Sequence, residues 1–281
     1  MLVGARLSRV WSHHRAHRFF SAARWSVPEL SAVLTRLVVD RLVPAGEPVL
    51  VAIDDTLFHR RGPKVHAASW FHDGSAPGGR KVGYGNSWVI AAIVVRLAFL
   101  DRPLALPVGF ALVRKGTDAA SRLALARRLV ERLATTVAGR AVHVVADSAY
   151  AGKALRDLPV TITPDHPATQ QRRLYALAPP RTGKRGRPRR KGDKLGPLAD
   201  LATTATFTTT TGTTATVQAA VLSCLWCGVF GQQQVQVVLV RDRSTNPRAL
   251  HDECLHVIGS FPKWFDGLPP SCLRTPWERA L

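Results

Sequence analysis

The sequence predicts an α/β fold, a mixed sheet with flanking helices that is followed by a β-rich insertion. Short apolar runs rich in β-branched residues alternate with segments of helical periodicity between residues 27 and 163. A basic stretch follows, and after it come a Thr-rich segment and two apolar runs typical of a hairpin. Hydrophobic residues make up 46% of the 281 residues, which is enough for a sizeable core.

The first helix and the first strand have clear signals. A capping-box pattern with an early proline begins at Ser26, and apolar residues at helical spacing predict a helix over 27–42. Residues 49–56 then predict a strand buried on both faces, which ends at two adjacent carboxylates, Asp54 and Asp55.

The next segment, 59–85, is rich in Gly, Pro, His and basic residues, and it predicts a long loop. Its glycine-rich end lacks the Walker spacing and a following helix, so nucleotide binding is not favoured. Beyond it the same criteria predict strands over 88–99, 104–113, 141–146 and 160–163, a helix capped at Thr117-Asp118 and ending near 136, and a short helix over 151–157. In the remainder they predict a hairpin of 217–222 with 235–240 and a helix over 248–258.

The charge balance predicts a polyanionic partner. Lys and Arg number 39 against 19 Asp and Glu, a net charge of +20, and nucleic acid is the first candidate. No apolar run is long enough to span a bilayer and no secretory signal is present, so we expect no membrane partner and a cytoplasmic, nucleoid-associated location.

Asp54 and Asp147 each follow a hydrophobic strand, 147 − 54 = 93 residues apart. The predicted order β-β-β-α-β-α-β is that of a ribonuclease H-like fold, in which the first and fourth strands are neighbours. The two carboxylates would then meet and could hold Mg²⁺ for phosphodiester chemistry. The alternative is that both acids begin solvated surface turns.

With these motifs in this order, the chain resembles the DDE transposases of bacterial insertion sequences over about residues 17–241. The resemblance implies Asp54 as first metal ligand, with Thr56 two residues on and Asp55 as the fallback ligand. It implies Asp147, in Asp147-Ser148-Ala149-Tyr150, as the second ligand. It further implies DNA cleavage and strand transfer with Mg²⁺ or Mn²⁺, and a β-rich insertion after the second aspartate.

The family's third acid, a Glu within Tyr-x2-Arg-x3-Glu on a helix, has no match. The acids available after Arg241 lack the flanking Tyr and Arg; they are Asp252, Glu253, Asp266 and Glu278. We therefore hypothesise that the chain has lost the family's C-terminal helix, through a frameshift near 241–260, which leaves open whether the transposase is active. A non-catalytic DNA-binding remnant and a related ribonuclease H-like nuclease are the alternatives.

The basic segment 184–191 is a candidate DNA contact, through Lys184, Arg185, Arg187, Arg189, Arg190 and Lys191. Its Arg-Gly-Arg-Pro core resembles an AT-hook, which inserts Arg into a narrow minor groove. The alternative is a solvated loop that touches phosphates only.

The remaining candidates are less specific. Cys224 and Cys227 have zinc-knuckle spacing, but buried core cysteines are favoured. The histidines near the N-terminus, 13, 14 and 17, favour a solvated or DNA-facing cluster. We expect an N-terminal basic segment and helix (1–48), a catalytic core (49–164), a basic, β-rich insertion (165–245) and an irregular C-terminus (246–281); a homodimer stays open.

Overall fold

The computed structural model describes residues 3 and 6–242, apart from 63, 75, 77, 78, 80, 101, 159, 168–172, 181–186 and 212–215, together with the backbone of 254–258. The described helices are α1 (His13–Ser21), α2 (Val27–Leu42), α3 (Arg122–Thr136), α4 (Leu198–Thr204) and α5 (Cys227–Phe230). The described strands are β1 (Val49–His59), β2 (Ser69–His72), β3 (Val82–Val95), β4 (Leu104–Leu112), β5 (Val142–Ala146), β6 (Thr161–Pro167), β7 (Thr208–Thr211), β8 (Thr216–Leu225), β9 (Gln234–Asp242) and β10 (Cys254–Ile258).

All the described strands belong to one mixed sheet. Its order is β2-β3-β1-β5-β6-β10-β9-β8-β7, with β4 beside β3. The pairs β1–β5 and β5–β6 are parallel, and the other pairs are antiparallel. The chain crosses over through α3 before β5 because a parallel neighbour cannot be reached by a tight turn. The predicted ribonuclease H-like order is confirmed, and the first and fourth predicted strands are neighbours.

Helices α2 and α3 cover one face of the sheet around β1, β3 and β4. The core there consists of alternate strand residues, such as Val51, Ile53 and Val89, against the α3 residues Ala126 and Leu129. This alternation follows from the period of two in a strand. The layer fixes which residues of β1 face the helices and which face the opposite side.

A second core lies in the insertion, between β8, β9 and the segments that pack on them. It contains Leu174, Leu198, Trp226 and Leu239, and Cys224 is fully buried within it. The preference for Cys224 as a core residue is therefore confirmed. Among the described residues, no group of three or more His, Cys, Asp or Glu side chains has metal-binding geometry.

Two arginines tie the insertion to α3. Arg127 donates from Nη1 to the carbonyl oxygens of Ala154 (2.9 Å) and Arg156 (2.7 Å). Arg156 in turn donates to the carbonyls of Val229 and, at 3.1 Å, Gly228. A guanidinium that serves several carbonyls at once holds two segments in one relative position.

The predicted start of one helix was wrong, and the predicted cap of another is only partly formed. Helix α3 begins after Ser121, whose Oγ accepts from Ala124 N at 3.2 Å, and not after Thr117-Asp118. Gly116 has φ +142°, so the chain turns there before it can become helical. Helix α2 spans the predicted residues, but the side chain of its N-cap, Ser26, makes no capping hydrogen bond.

Three other predicted elements differ in the structure, and for two of them the reason is that pairing with distant strands decides where strands form. The predicted loop 59–85 contains β2 and the start of β3, which pair with each other. The predicted helix 151–157 is only a 3-10 turn at Lys153–Leu155. Part of the predicted helix 248–258 is strand β10, because β6 and β9 flank it on both sides.

No helix in the described part of the chain is long and apolar enough to cross a membrane.

Gly85 allows β3 to approach β1. A Cβ at this position would lie 2.1 Å from the carbonyl oxygen of Phe58, a backbone atom that cannot move aside. We predict that Gly85→Ala lowers the free energy of unfolding by about 2 kcal/mol or more. Chemical denaturation measures it, with Gly74→Ala as the control because nothing lies within 4 Å of a Cβ there. Equal midpoints for the two variants would contradict this account of the β1–β3 contact.

Candidate active site

Asp54 and Asp147 lie side by side because of the register between β1 and β5. The parallel pairs run from Val49↔Val142 to Ile53↔Ala146, and each aspartate is the residue after that last pair. Adjacent strands are about 4.8 Å apart, so the two carboxylates project from neighbouring positions on the sheet. The structure therefore brings together the two residues that the sequence proposed as ligands.

The sequence predicted that strand β1 ends at Asp54 and Asp55, and this was wrong. It continues to His59 because β3 is longer than β5 and pairs with β1 from Val51 through His59. Asp54 is opposite Ile90, in the middle of this antiparallel pairing. The edge at which the site forms is therefore the end of β5, beside a strand that runs on past it.

The two adjacent aspartates of β1 face opposite sides of the sheet. Asp55 has the parity of Val51 and Ile53, which pack against the helices, whereas Asp54 has the parity of Ala52. Asp147, the residue directly after β5, continues the parity of Val145, which pairs with Ala52. Asp54 and Asp147 consequently share the face that α2 and α3 do not cover.

Each of these two carboxylates is oriented by the backbone. Asp54 Oδ1 accepts from Asp55 N at 2.7 Å, and Asp147 Oδ1 accepts from Ala149 N at 2.8 Å. The second bond belongs to the tight turn at Ser148–Tyr150, in which Tyr150 N also donates to Asp147 O at 3.1 Å. Backbone donors hold these side chains without adding a competing cation.

The pKa of the Asp54 carboxyl is raised from its ordinary 3.8 to about 6. Burial is the largest cause, the Asp55 N–H acts in the opposite direction, and the negative charges of Asp147 and Asp55 add to the rise. The ionised form is thus disfavoured in the protein alone. A cation between Asp54 and Asp147 would remove that penalty.

Asp55 is engaged on the helix side of the sheet. Its Oδ2 is 3.3 Å from Arg122 Nη2, and its Oδ1 accepts from the Tyr150 hydroxyl at 3.4 Å. Tyr150 is buried, and burial together with the neighbouring carboxylates raises the pKa of its hydroxyl. Asp55 therefore already has a cationic and a neutral donor as partners.

The donor set fits a hard divalent cation. Asp54 and Asp147 lie on one face and close enough for the charge of Asp147 to raise the pKa of Asp54, and Mg²⁺ commonly binds one or two such carboxylates with water as its other ligands. Thr56 is two residues beyond Asp54 on the same face and is exposed. The acids at 252, 253, 266 and 278 lie outside the residues whose side chains are described.

Arg122 was missed by the sequence reasoning. It stands in the first turn of α3, donates to Ser87 Oγ at 3.5 Å, and places its guanidinium 6.0 Å from the centre of the Phe71 ring. No motif marks it, since its partner Asp55 is 67 residues away in the sequence, by 122 − 55. The signal that could have found Arg122 is the helical periodicity of α3, once that helix is packed against the sheet beside the end of β5.

The basic segment lies apart from the two aspartates in the chain and is only partly described. Arg187, Arg189 and Arg190 are exposed, and Arg189 Nη2 pairs with Asp193 at 3.0 Å. Lys191 Nζ is 3.8 Å from the centre of the Tyr175 ring, which makes a close cation–π contact. Lys184 and Arg185 lie outside the described residues.

Comparisons with known proteins give one broad match. The model of a family described as DDE superfamily endonuclease matches residues 4–234. A solved piggyBac transposase synaptic complex with hairpin DNA matches at 12% identity and a TM-score of 0.35, over 81% of this chain and 37% of that chain. The chain thus spans well under half of that structure's length, and a similarity at this level supports no conclusion about function. No curated protein matches.

The raised pKa of Asp54 predicts a pH-dependent stability in the absence of metal. Its stabilising contribution is complete below pH 3.8 and is lost as the pH rises through about 6. We therefore predict that Asp54→Asn raises the unfolding temperature above that of the unchanged protein at pH 7.5 in EDTA, and that the difference shrinks toward pH 4. Calorimetry across this range measures it, and a difference independent of pH would contradict the assigned cause.

Proposed function

Since this chain belongs to the DDE superfamily of endonucleases, we propose that it acts on DNA as a transposase, cleaving phosphodiester bonds and transferring strands. The predicted resemblance to that superfamily is confirmed, and an origin in a bacterial insertion sequence stays a prediction. The observation that carries the proposal is the parallel register that sets Asp54 beside Asp147.

In this proposal Asp54 and Asp147 hold the divalent cation, Mg²⁺ or Mn²⁺. The cation would supply charge neutralisation and activation of the attacking oxygen. The backbone N–H groups of Asp55 and Ala149 keep both carboxylates turned toward the uncovered face. On the other side of the sheet, Asp55 pairs with Arg122 and accepts a hydrogen bond from Tyr150. These contacts tie β1 to α3 and to the turn after β5.

The DNA is held by positive charge. A net charge of +20 attracts a polyanion from a distance, and exposed arginines of the basic segment supply local phosphate contacts. Lys184, Arg185, Arg187, Arg189, Arg190 and Lys191 are the proposed contact residues. Minor-groove insertion by this segment remains the finer version of the same proposal.

A second candidate is a DNA-binding protein without catalytic activity. It is favoured by one observation, since the described residues contain two carboxylates on the uncovered face and no group of three potential metal ligands. Two carboxylates are enough for Mg²⁺ binding but leave one metal position less constrained. The two candidates differ in turnover and agree in DNA binding.

Metal binding distinguishes the two neighbouring aspartates of β1. We predict that Asp54→Asn and Asp147→Asn each weaken Mn²⁺ binding at pH 7.5 by about 10-fold or more, whereas Asp55→Asn changes it by about 2-fold or less. The reason is that Asp55 faces Arg122 on the other side of the sheet. Isothermal titration calorimetry measures the affinities. A larger loss for Asp55→Asn than for Asp54→Asn would make Asp55 the ligand instead.

Cleavage tests the transposase proposal. With Mg²⁺ or Mn²⁺ present, we predict that the protein nicks a plasmid carrying the DNA that flanks its coding sequence on both sides. Asp147→Ala should reduce the rate by at least about 100-fold, since it removes half of the cation's protein ligands. Asp40→Ala, an exposed acid of α2, is the matched control.

Equal cleavage by Asp147→Ala and the unchanged protein would contradict the assigned site. Tight binding of the same plasmid by the unchanged protein, with no nicking in either metal, would favour the non-catalytic candidate.

A further inference from the structure

The face of the sheet that carries Asp54 continues beyond it into an aromatic surface. The β1–β3 register pairs Asp54↔Ile90, Thr56↔Trp88 and Phe58↔Asn86, and the β2–β3 register pairs Trp70↔Tyr84. Directly paired residues project to the same side, and alternate residues of one strand do as well. Phe58, Trp70, Tyr84 and Trp88 therefore lie on the side of Asp54 and not on the side of the helices.

Two of these four aromatic side chains are exposed to solvent, and Tyr84 and Trp88 are half-buried. Trp70 is 60% exposed and Phe58 is 44% exposed, whereas Phe71, which points to the helix side, is 6% exposed. Trp70 and Tyr84 are in edge-to-face contact, with ring centres 5.6 Å apart. Since they stand on paired strands, the rings are held in place by the sheet.

The segment that carries this aromatic surface is basic. Arg60, Arg61, Lys64 and Lys81 are all exposed in the same segment. Residues 59–85 contain one acid, Asp73, which is buried and lies with its Oδ2 3.0 Å from His59 Nε2. No carboxylate of the segment is therefore exposed to repel a phosphate backbone.

Exposed aromatic rings set among arginines and lysines have the chemistry of a surface for unpaired nucleotides. Every base has a π-face that can stack on a ring, and the basic side chains neutralise the phosphates between the bases. The bases of a duplex are already stacked on one another, so such a surface distinguishes a single strand from a duplex. A second copy of the chain fits less well, because two surfaces of a protein with net charge +20 repel each other.

We propose that Phe58, Trp70 and Tyr84 form a stacking platform for unpaired nucleotides of a DNA strand, with Arg60 and Arg61, which follow β1 beside Tyr84, as phosphate contacts. Phe58 is four residues from Asp54 on the same face of β1, which is about 13 Å along the strand. The platform therefore holds nucleotides close to the bond that the two aspartates address, in an unpaired state. The inference rests on the proposed function in taking DNA as substrate, and it needs no metal.

Binding of labelled oligothymidylate in EDTA tests the platform. Fluorescence anisotropy gives the affinity for the single strand and for its duplex with oligoadenylate. We expect Trp70→Ala to weaken binding of the single strand by roughly 10-fold and binding of the duplex by about 2-fold or less. Trp70→Phe should recover most of the lost affinity, because it keeps a ring on the same strand.

The matched control is Phe99→Ala. Phe99 is 80% exposed and lies in the turn between β3 and β4, at the far end of β3 from Tyr84. The Phe99→Ala change should leave the affinities for the single strand and for the duplex unchanged. Single strands that contain 2-aminopurine give a second readout, since stacking quenches its emission; the quenching should disappear in Trp70→Ala. Thermal unfolding of each variant checks that the fold is kept.

Three results would overturn the platform. They are an equal effect of Trp70→Ala on single strand and duplex, no effect on either, and a concentration-dependent dimer that Trp70→Ala abolishes, since the last result makes the surface an interface between copies. If the unchanged protein bound no DNA at all, both the platform and the proposed function would be overturned. If it bound the single strand through Trp70 but did not cleave DNA, only the catalytic part of the proposed function would fail.

Discussion

The pairing of β1 with β5 is the constraint on which the site depends. A parallel neighbour had to be brought back through α3, and the register Ile53↔Ala146 then sets one aspartate after each strand segment. A shift of one residue in either strand would turn its carboxylate to the helix side of the sheet. The packed layer of α2 and α3 holds the register, because Val51, Ile53 and Val144 must remain in the core.

Strand alternation also explains how two consecutive acids serve different purposes. Asp55 points toward the helices, where Arg122 and Tyr150 balance its charge and satisfy its oxygens. Asp54 points to the face opposite α2 and α3, where burial and the other carboxylates raise the pKa of its side chain. The first arrangement stabilises the fold, and the second leaves an unfavourable charge that a metal ion would relieve. The same uncovered face carries the exposed rings of Phe58 and Trp70, which extends the proposed DNA path away from the carboxylates.

Much of the sheet and helices around the two aspartates could be predicted from the sequence, because their signals are local. Helical spacing gave α2 with the correct ends, and an apolar run followed by Asp147 gave β5. The true end of β1 could not be predicted, since it depends on the length of β3, a partner found only in three dimensions. The same holds for β10, whose strand conformation is set by β6 and β9. For the site, the two aspartates carried a motif, whereas the partnership of Arg122 with Asp55 joins two distant segments and left no local pattern.

The proposed function depends on a divalent cation between Asp54 and Asp147, on the face opposite α2 and α3. The most direct measurement is an anomalous difference map from crystals of the protein soaked in Mn²⁺ at pH 7.5. The account predicts a peak within coordination distance of both carboxylates, about 2.2 Å from the nearest oxygen of each, with Asp55 still paired to Arg122. A peak at Asp55 in place of Asp54, or ordered Mn²⁺ only at other sites, would contradict it.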